Sequence, residues 1–96
     1  MDTMPYSQKI IEKINEAPKA LGTELGRWAV RRDISMQRIS QIIGASRQTV
    51  YNWFTGTTEV TVAYQERVAK VIEVLRQTSQ TDDAWRILCT TFNHKP

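Results

Sequence analysis

From Ser35 to Gly56 the chain reads Ser-Met-Gln-Arg-Ile-Ser-Gln-Ile-Ile-Gly-Ala-Ser-Arg-Gln-Thr-Val-Tyr-Asn-Trp-Phe-Thr-Gly, and Gly44 within it leaves few folding choices open. Before it, Ile39, Ile42 and Ile43 recur at helical spacing; after it, Val50 and Trp53 do, with Phe54 beside them. Ser35 and Ser46 stand where helix N-caps stand, and glycine is favoured where a helix ends in left-handed backbone. The segment therefore predicts two short helices, Met36 to Ile43 and about Arg47 to Phe54, joined by a tight turn. Ile39, Ile43, Val50 and Trp53 can pack across a steep crossing, and the small Ser40 lets the helices approach. This is the layout of a helix-turn-helix; the plain alternative is an αα-hairpin in a helical bundle.

Helical spacing continues along the chain, which predicts an all-α bundle of five to six helices and no sheet. The whole chain, 1–96, reads as one domain. It divides into an N-terminal helix (1–18), a core (19–77) and a C-terminal helix (78–96). Ser7 can cap the first helix, which places Ile10, Ile11 and Ile14 on one side, and Pro18 ends it or sits in the first turn of the next. The second helix, about Lys19 to Arg32, has Leu21, Leu25, Trp28 and Ala29 as its inner stripe. Gly22 and Gly26 cost it helix propensity, which points to close approach of a neighbour or a later start. Val62 to about Gln77 buries Val68, Val71, Ile72 and Leu75. Ser79-Gln-Thr-Asp82 resembles a capping box that opens a last helix with the stripe Trp85, Leu88, Cys89 and Phe92. That stripe, and likewise Ile10 and Ile14, either closes the core or pairs with a second copy.

Composition excludes several classes. The single cysteine, Cys89, cannot form an internal disulfide, and with His94 as the sole histidine a structural zinc site lacks ligands. No acid–base pair, nucleophile elbow or phosphate-cradling glycine loop is visible, so no catalysis, cofactor or metal is expected. The opening Met-Asp-Thr-Met-Pro lacks the character of a signal peptide, and no apolar run suits a membrane span. A cytoplasmic protein is the expectation, its unpaired thiol suiting a reducing compartment.

Charge has a placement. Between Lys19 and Thr58 lie six basic residues (Lys19, Arg27, Arg31, Arg32, Arg38, Arg47) and two acidic ones, Glu24 and Asp33. The rest of the chain carries seven basic and eight acidic residues. The excess suits a phosphate-facing surface, or equally a solvated helix face. On the second helix of the pair, Arg47, Gln48, Tyr51 and Asn52 are left outward. Arginine can donate twice to guanine, and Gln48 or Asn52 can pair with adenine, so these four are the candidate base-contacting residues. Ser35, Gln37, Arg38, Ser46, Thr49, Thr55, Thr57 and Thr58 are the candidate phosphate ligands.

Leu21 to Leu75 resembles the Cro/CI-type helix-turn-helix family, also called the XRE family. Leu21 and Leu25 resemble its first-helix leucines. Ile34-Ser35-Met36-Gln37 resembles its motif entry, and Ile39, Gly44, Ser46, Val50, Trp53 and Gly56 stand at its motif positions. Trp53-Phe54-Thr55-Gly56 is similar to the ending in some phage repressors. Two departures are Ser40, where the family usually has alanine, and Met36, which precedes the glutamine that usually opens the motif. The resemblance implies a lambda-repressor-like fold and a regulator that binds double-stranded DNA as a homodimer. Dimer candidates are Trp85, Leu88, Phe92, Ile10 and Ile14. The alternatives are an antitoxin-type autorepressor with a protein partner, the DNA-binding part of a transposase or terminase, and a module that makes protein contacts alone. No small-molecule effector or membrane partner is expected.

Overall fold

The computed structural model describes residues 5–95, so the reading of the chain start at Met1 to Met4 lies outside the described residues. Six helices follow one another, with no strand among the described residues: α1 (Gln8–Glu16), α2 (Leu21–Arg31), α3 (Met36–Ile43), α4 (Arg47–Phe54), α5 (Val62–Gln77) and α6 (Thr81–Thr91). No helix is long and apolar enough to cross a membrane among them.

The caps explain most boundaries. Ser7, Ser35 and Ser46 each accept a backbone N–H from the first turn of α1, α3 and α4. Gly44 closes α3 at φ 85°, the left-handed region that glycine adopts without Cβ strain. In α2 the buried Thr23 hydroxyl accepts the Ala20 N–H at 2.9 Å and donates to the Pro18 carbonyl at 2.8 Å. Helix α2 stops at Arg31 because Asp33 takes φ 55°, which lets the Ile34 N–H reach back to the Ala29 carbonyl. The capping box expected at Ser79 is not formed. Gln80 is the cap residue of α6 and makes no side-chain capping bond; the chain is still extended at Thr78, whose hydroxyl is turned back to the Val74 carbonyl.

One hydrophobic cluster runs from Tyr6 to Cys89 and draws on all six helices. Helix α2 packs on both α5 and α4, and its approach to α4 is the tightest at two glycines. A methyl group at Gly22 would lie 2.8 Å from the Trp53 carbonyl oxygen, and one at Gly26 would lie 2.9 Å from the Phe54 ring. The buried stripe of α2 is therefore Gly22, Leu25, Gly26 and Ala29, while Leu21 and Trp28 sit half-buried at its margins. Trp53 meets Tyr64 of α5 (ring centroids 5.4 Å) and Phe54 meets Tyr6 (6.3 Å). Tyr6 donates its hydroxyl to the Ile34 carbonyl at 2.5 Å, pinning the start of α1 to the α2–α3 turn.

Two expected dimer residues are taken by this core. Ile14 and Leu88 are fully buried at 0% exposure, so neither can meet a second copy in this fold. Ile10, Trp85 and Phe92 are half-buried. Trp85 lies under the Arg38 guanidinium (4.6 Å to the ring centroid) and meets the His94 ring at 5.8 Å. Burial pushes the Cys89 thiol above its ordinary range, against the opposing charge of Arg38.

Gly22→Ala gains helix propensity but forces side-chain bulk against backbone. It should destabilise the fold by about 1–3 kcal/mol in urea unfolding, as overpacking does. Burial, with the Asp33 charge adding, holds the Tyr6 phenol far above its usual range. The unfolded chain then loses this proton first, near pH ~10, so stability is whole below that pH and falls above it by up to ~1.4 kcal/mol per pH unit. Tyr6→Phe should be less stable than the parent at pH 7, and the gap should narrow as pH rises past ~10.

Candidate nucleic-acid interface

Helix α4 has two unlike faces because its apolar residues fall on one side of a 3.6-residue repeat. Val50, Trp53 and Phe54 are buried, while Arg47 and Gln48 are exposed and Thr49, Tyr51 and Asn52 half-buried. Gln48 and Asn52, one turn apart, are joined: the Gln48 side-chain amide donates to the Asn52 Oδ1 at 3.0 Å. The pair leaves the Gln48 oxygen as an acceptor and the Asn52 amide as a donor, the two kinds of group that adenine's major-groove edge matches. Sequence spacing treats the two as separate; the hydrogen bond links them.

Several candidate phosphate ligands have internal work. The Ser35 oxygen accepts the Arg38 N–H at 3.1 Å. The Ser46 hydroxyl donates to the Thr49 hydroxyl at 2.8 Å and accepts its N–H at 3.1 Å. Thr55 donates to the Tyr51 carbonyl at 2.9 Å and shares a hydrogen bond with Thr57. Gln37, Arg38, Thr57 and Thr58 are exposed, with the Arg38 guanidinium directed onto Trp85 of α6.

Two arginines of the basic stretch bond to carbonyls at helix ends. Arg27 donates to the Ala17 carbonyl at 2.9 Å, just past the end of α1, and Arg32 to the Leu75 carbonyl at 2.8 Å, at the end of α5. Arg31 lies over Trp28 at 4.9 Å. Arg67, from outside the stretch, donates to the Ile43 carbonyl at 2.8 Å and so caps α3. Helix C-termini carry unpaired carbonyls and partial negative charge, which is what a guanidinium satisfies.

Helix α1 borders the outward face of α4, a relation with no signal in the sequence. The Lys13 ammonium donates to the Tyr51 hydroxyl at 3.3 Å across a separation of 38 residues. A groove of ≈ 360 Å³ lies between the start of α1 and the pair α3–α4, lined by Ile10, Ser35, Gln37, Arg47, Gln48 and Tyr51 among others. A second groove, lined by Lys13, Glu16, Tyr51, Asn52, Thr55 and Thr57 among others, continues along α4. The arrangement offers hydrogen-bonding groups and positive charge on the outward face of α4; among the described residues no group of three His, Cys, Asp or Glu side chains could hold a metal ion.

Comparison of the chain with protein-family models, with curated proteins and with solved structures returns no match.

Arg32→Ala, which strips a carbonyl at the end of α5 of its charged partner, should lower stability by about 1–2 kcal/mol in thermal or urea unfolding. A guanidinium serving only phosphates would leave stability unchanged.

Proposed function

We propose that the chain is a sequence-specific, double-stranded-DNA-binding transcriptional regulator, a small repressor of lambda-repressor-like architecture with α4 as its recognition helix. The observation that carries this reading is the division of α4: Val50, Trp53 and Phe54 are locked in the core while Arg47 and Gln48 stand in solvent. Side chains near the N-terminal end of a recognition helix are the ones that reach base edges in the major groove. The left-handed turn at Gly44 and the Cro/CI-type resemblance of Leu21 to Leu75 support the same reading. Arg47 then reads guanine, the Gln48–Asn52 unit reads adenine, and Gln37, Thr57 and Thr58 touch phosphates.

A homodimer belongs to this proposal. Helix α6 supports it with Ile87, 42% exposed, beside the half-buried Trp85 and Phe92. A two-fold pairing would present two α4 helices about 34–36 Å apart, one duplex turn. The same α6 surface also fits an antitoxin-type autorepressor, in which a partner protein takes the place of the second copy. The setting proposed is the cytoplasm of a bacterial or phage-infected cell.

Selection of bound duplexes from a random pool tests the reading. A palindromic consensus is expected. Gln48→Ala should then cost about 1–3 kcal/mol at one consensus position. Equal loss on every sequence, or no consensus at all, would mean that α4 reads no bases.

A further inference from the structure

We propose that Lys13 and Tyr51 form a phosphate-gripping pair, built jointly by α1 and α4, that holds the DNA strand bordering the groove α4 reads. This rests on the DNA-binding reading above. It removes Tyr51 from the base-reading set and adds α1 to the interface.

Helix α1 runs beside α4 in the same sense. Ile10 shares a groove with Arg47 and Gln48, Lys13 touches Tyr51, and Glu16 and Ala17 share the next groove with Asn52 and Thr55. Tyr51 is the wall common to both grooves. The helix is held firmly there. Ile14 is fully buried, its side chain 3.3 Å from where a Gly26 methyl would stand; Tyr6 is bonded to the Ile34 carbonyl, and Arg27 holds the carbonyl of Ala17. These contacts anchor α1 on α2, which also packs against α4, and so set Lys13 beside Tyr51.

Size then decides what α1 can meet. A major groove about 12 Å wide admits a single helix of about 10–12 Å diameter. With α4 inside, the helix at its flank lies over the sugar-phosphate strand. The chemistry at that flank agrees. Lys13 donates to the Tyr51 oxygen at 3.3 Å, so the phenol's own hydrogen is directed elsewhere, and the ammonium retains two further donors. Two adjacent donors with one positive charge suit an anionic phosphodiester oxygen. They do not suit a base edge, which presents a fixed sequence of donors and acceptors. Of the residues lining the two grooves among those described, Glu16 is the only carboxylate, and it opposes the strand.

The test uses the full chain with two duplexes, the selected consensus and a scrambled sequence of equal length. Lys13→Ala and Tyr51→Phe should each weaken both duplexes several-fold by the same factor, and leave the selected consensus unchanged. Lys13→Ala should also flatten the plot of log K against log salt by about 1, as loss of one phosphate contact does. Lys13→Arg should restore binding, and Glu16→Gln should tighten it on both duplexes. Thermal melting checks that the variants stay folded; Lys13 is exposed, and Tyr51→Phe keeps the ring. A consensus that changes at one position in Tyr51→Phe, or parental binding in both variants, overturns the pair while leaving the DNA-binding reading intact. A parent chain that binds neither duplex overturns both, and Gln48→Ala separates the two cases by reporting on base reading alone.

Discussion

The fold turns on a contact between backbone and side chain. Gly22 and Gly26 bring one face of α2 down to the backbone and rings of α4, at Trp53 and Phe54, closer than any residue with a Cβ allows. Everything the outer face of α4 can do follows from this. A short, amphipathic helix with two adjacent aromatics would gain little by itself, since most helical stability in proteins comes from packing. Held by α2 on its inner side, it can carry arginine, glutamine and asparagine outward without loss of order. The same contact positions its neighbours: Trp53 reaches Tyr64 of α5, and Phe54 reaches Tyr6 ahead of α1.

A second organising interaction is the use of arginine at helix ends. Arg27 serves α1, Arg32 serves α5 and Arg67 serves α3, each through a carbonyl at or just beyond a C-terminus. Those of Arg32 and Arg67 span 43 and 24 residues and that of Arg27 spans 10, and each ties one helix to the end of another. Positive charge in this chain thus has two separate uses. Part of it is structural cross-bracing, and part, at Arg47 and Lys13, stands at the outward face of α4.

The hydrogen bond between Gln48 and Asn52 and the contact of Lys13 with Tyr51 give that face a finer division. The amide pair offers a donor and an acceptor in fixed relation, as a base edge requires. The ammonium and phenol offer charge and donors, as a backbone strand requires. Under the proposed function, reading would fall to the amide pair and gripping to the ammonium–phenol pair, with α1 supplying half of the grip.

Helices α3, α4 and α5 were legible from residues 35 to 77 because capping serines, a left-handed glycine and apolar periodicity are all local signals, written within a few residues of what they govern. Of the set read as outward on α4, Arg47 and Gln48 are exposed while Tyr51 and Asn52 are half-buried, Tyr51 packing against the core. The inner stripe of α2 was legible in part: Leu25 and Ala29 are buried as their spacing implies and the close approach signalled by Gly22 and Gly26 is present, but Leu21 and Trp28 lie at the margin, and only the packed fold shows that the close neighbour is α4. Nor could spacing say whether Ile14 and Leu88 face the core or a second copy, since both destinations bury an apolar side chain, and only the packed fold brings them to 0% exposure. Net charge along the chain likewise could not say which arginines bond to helix-end carbonyls, because such a bond leaves no trace in local composition. The sequence by itself determined where the helices lie and which side of each is apolar. The tertiary structure alone decided which arginines brace helix ends and that α1 flanks α4, since both depend on contacts between residues far apart in the chain.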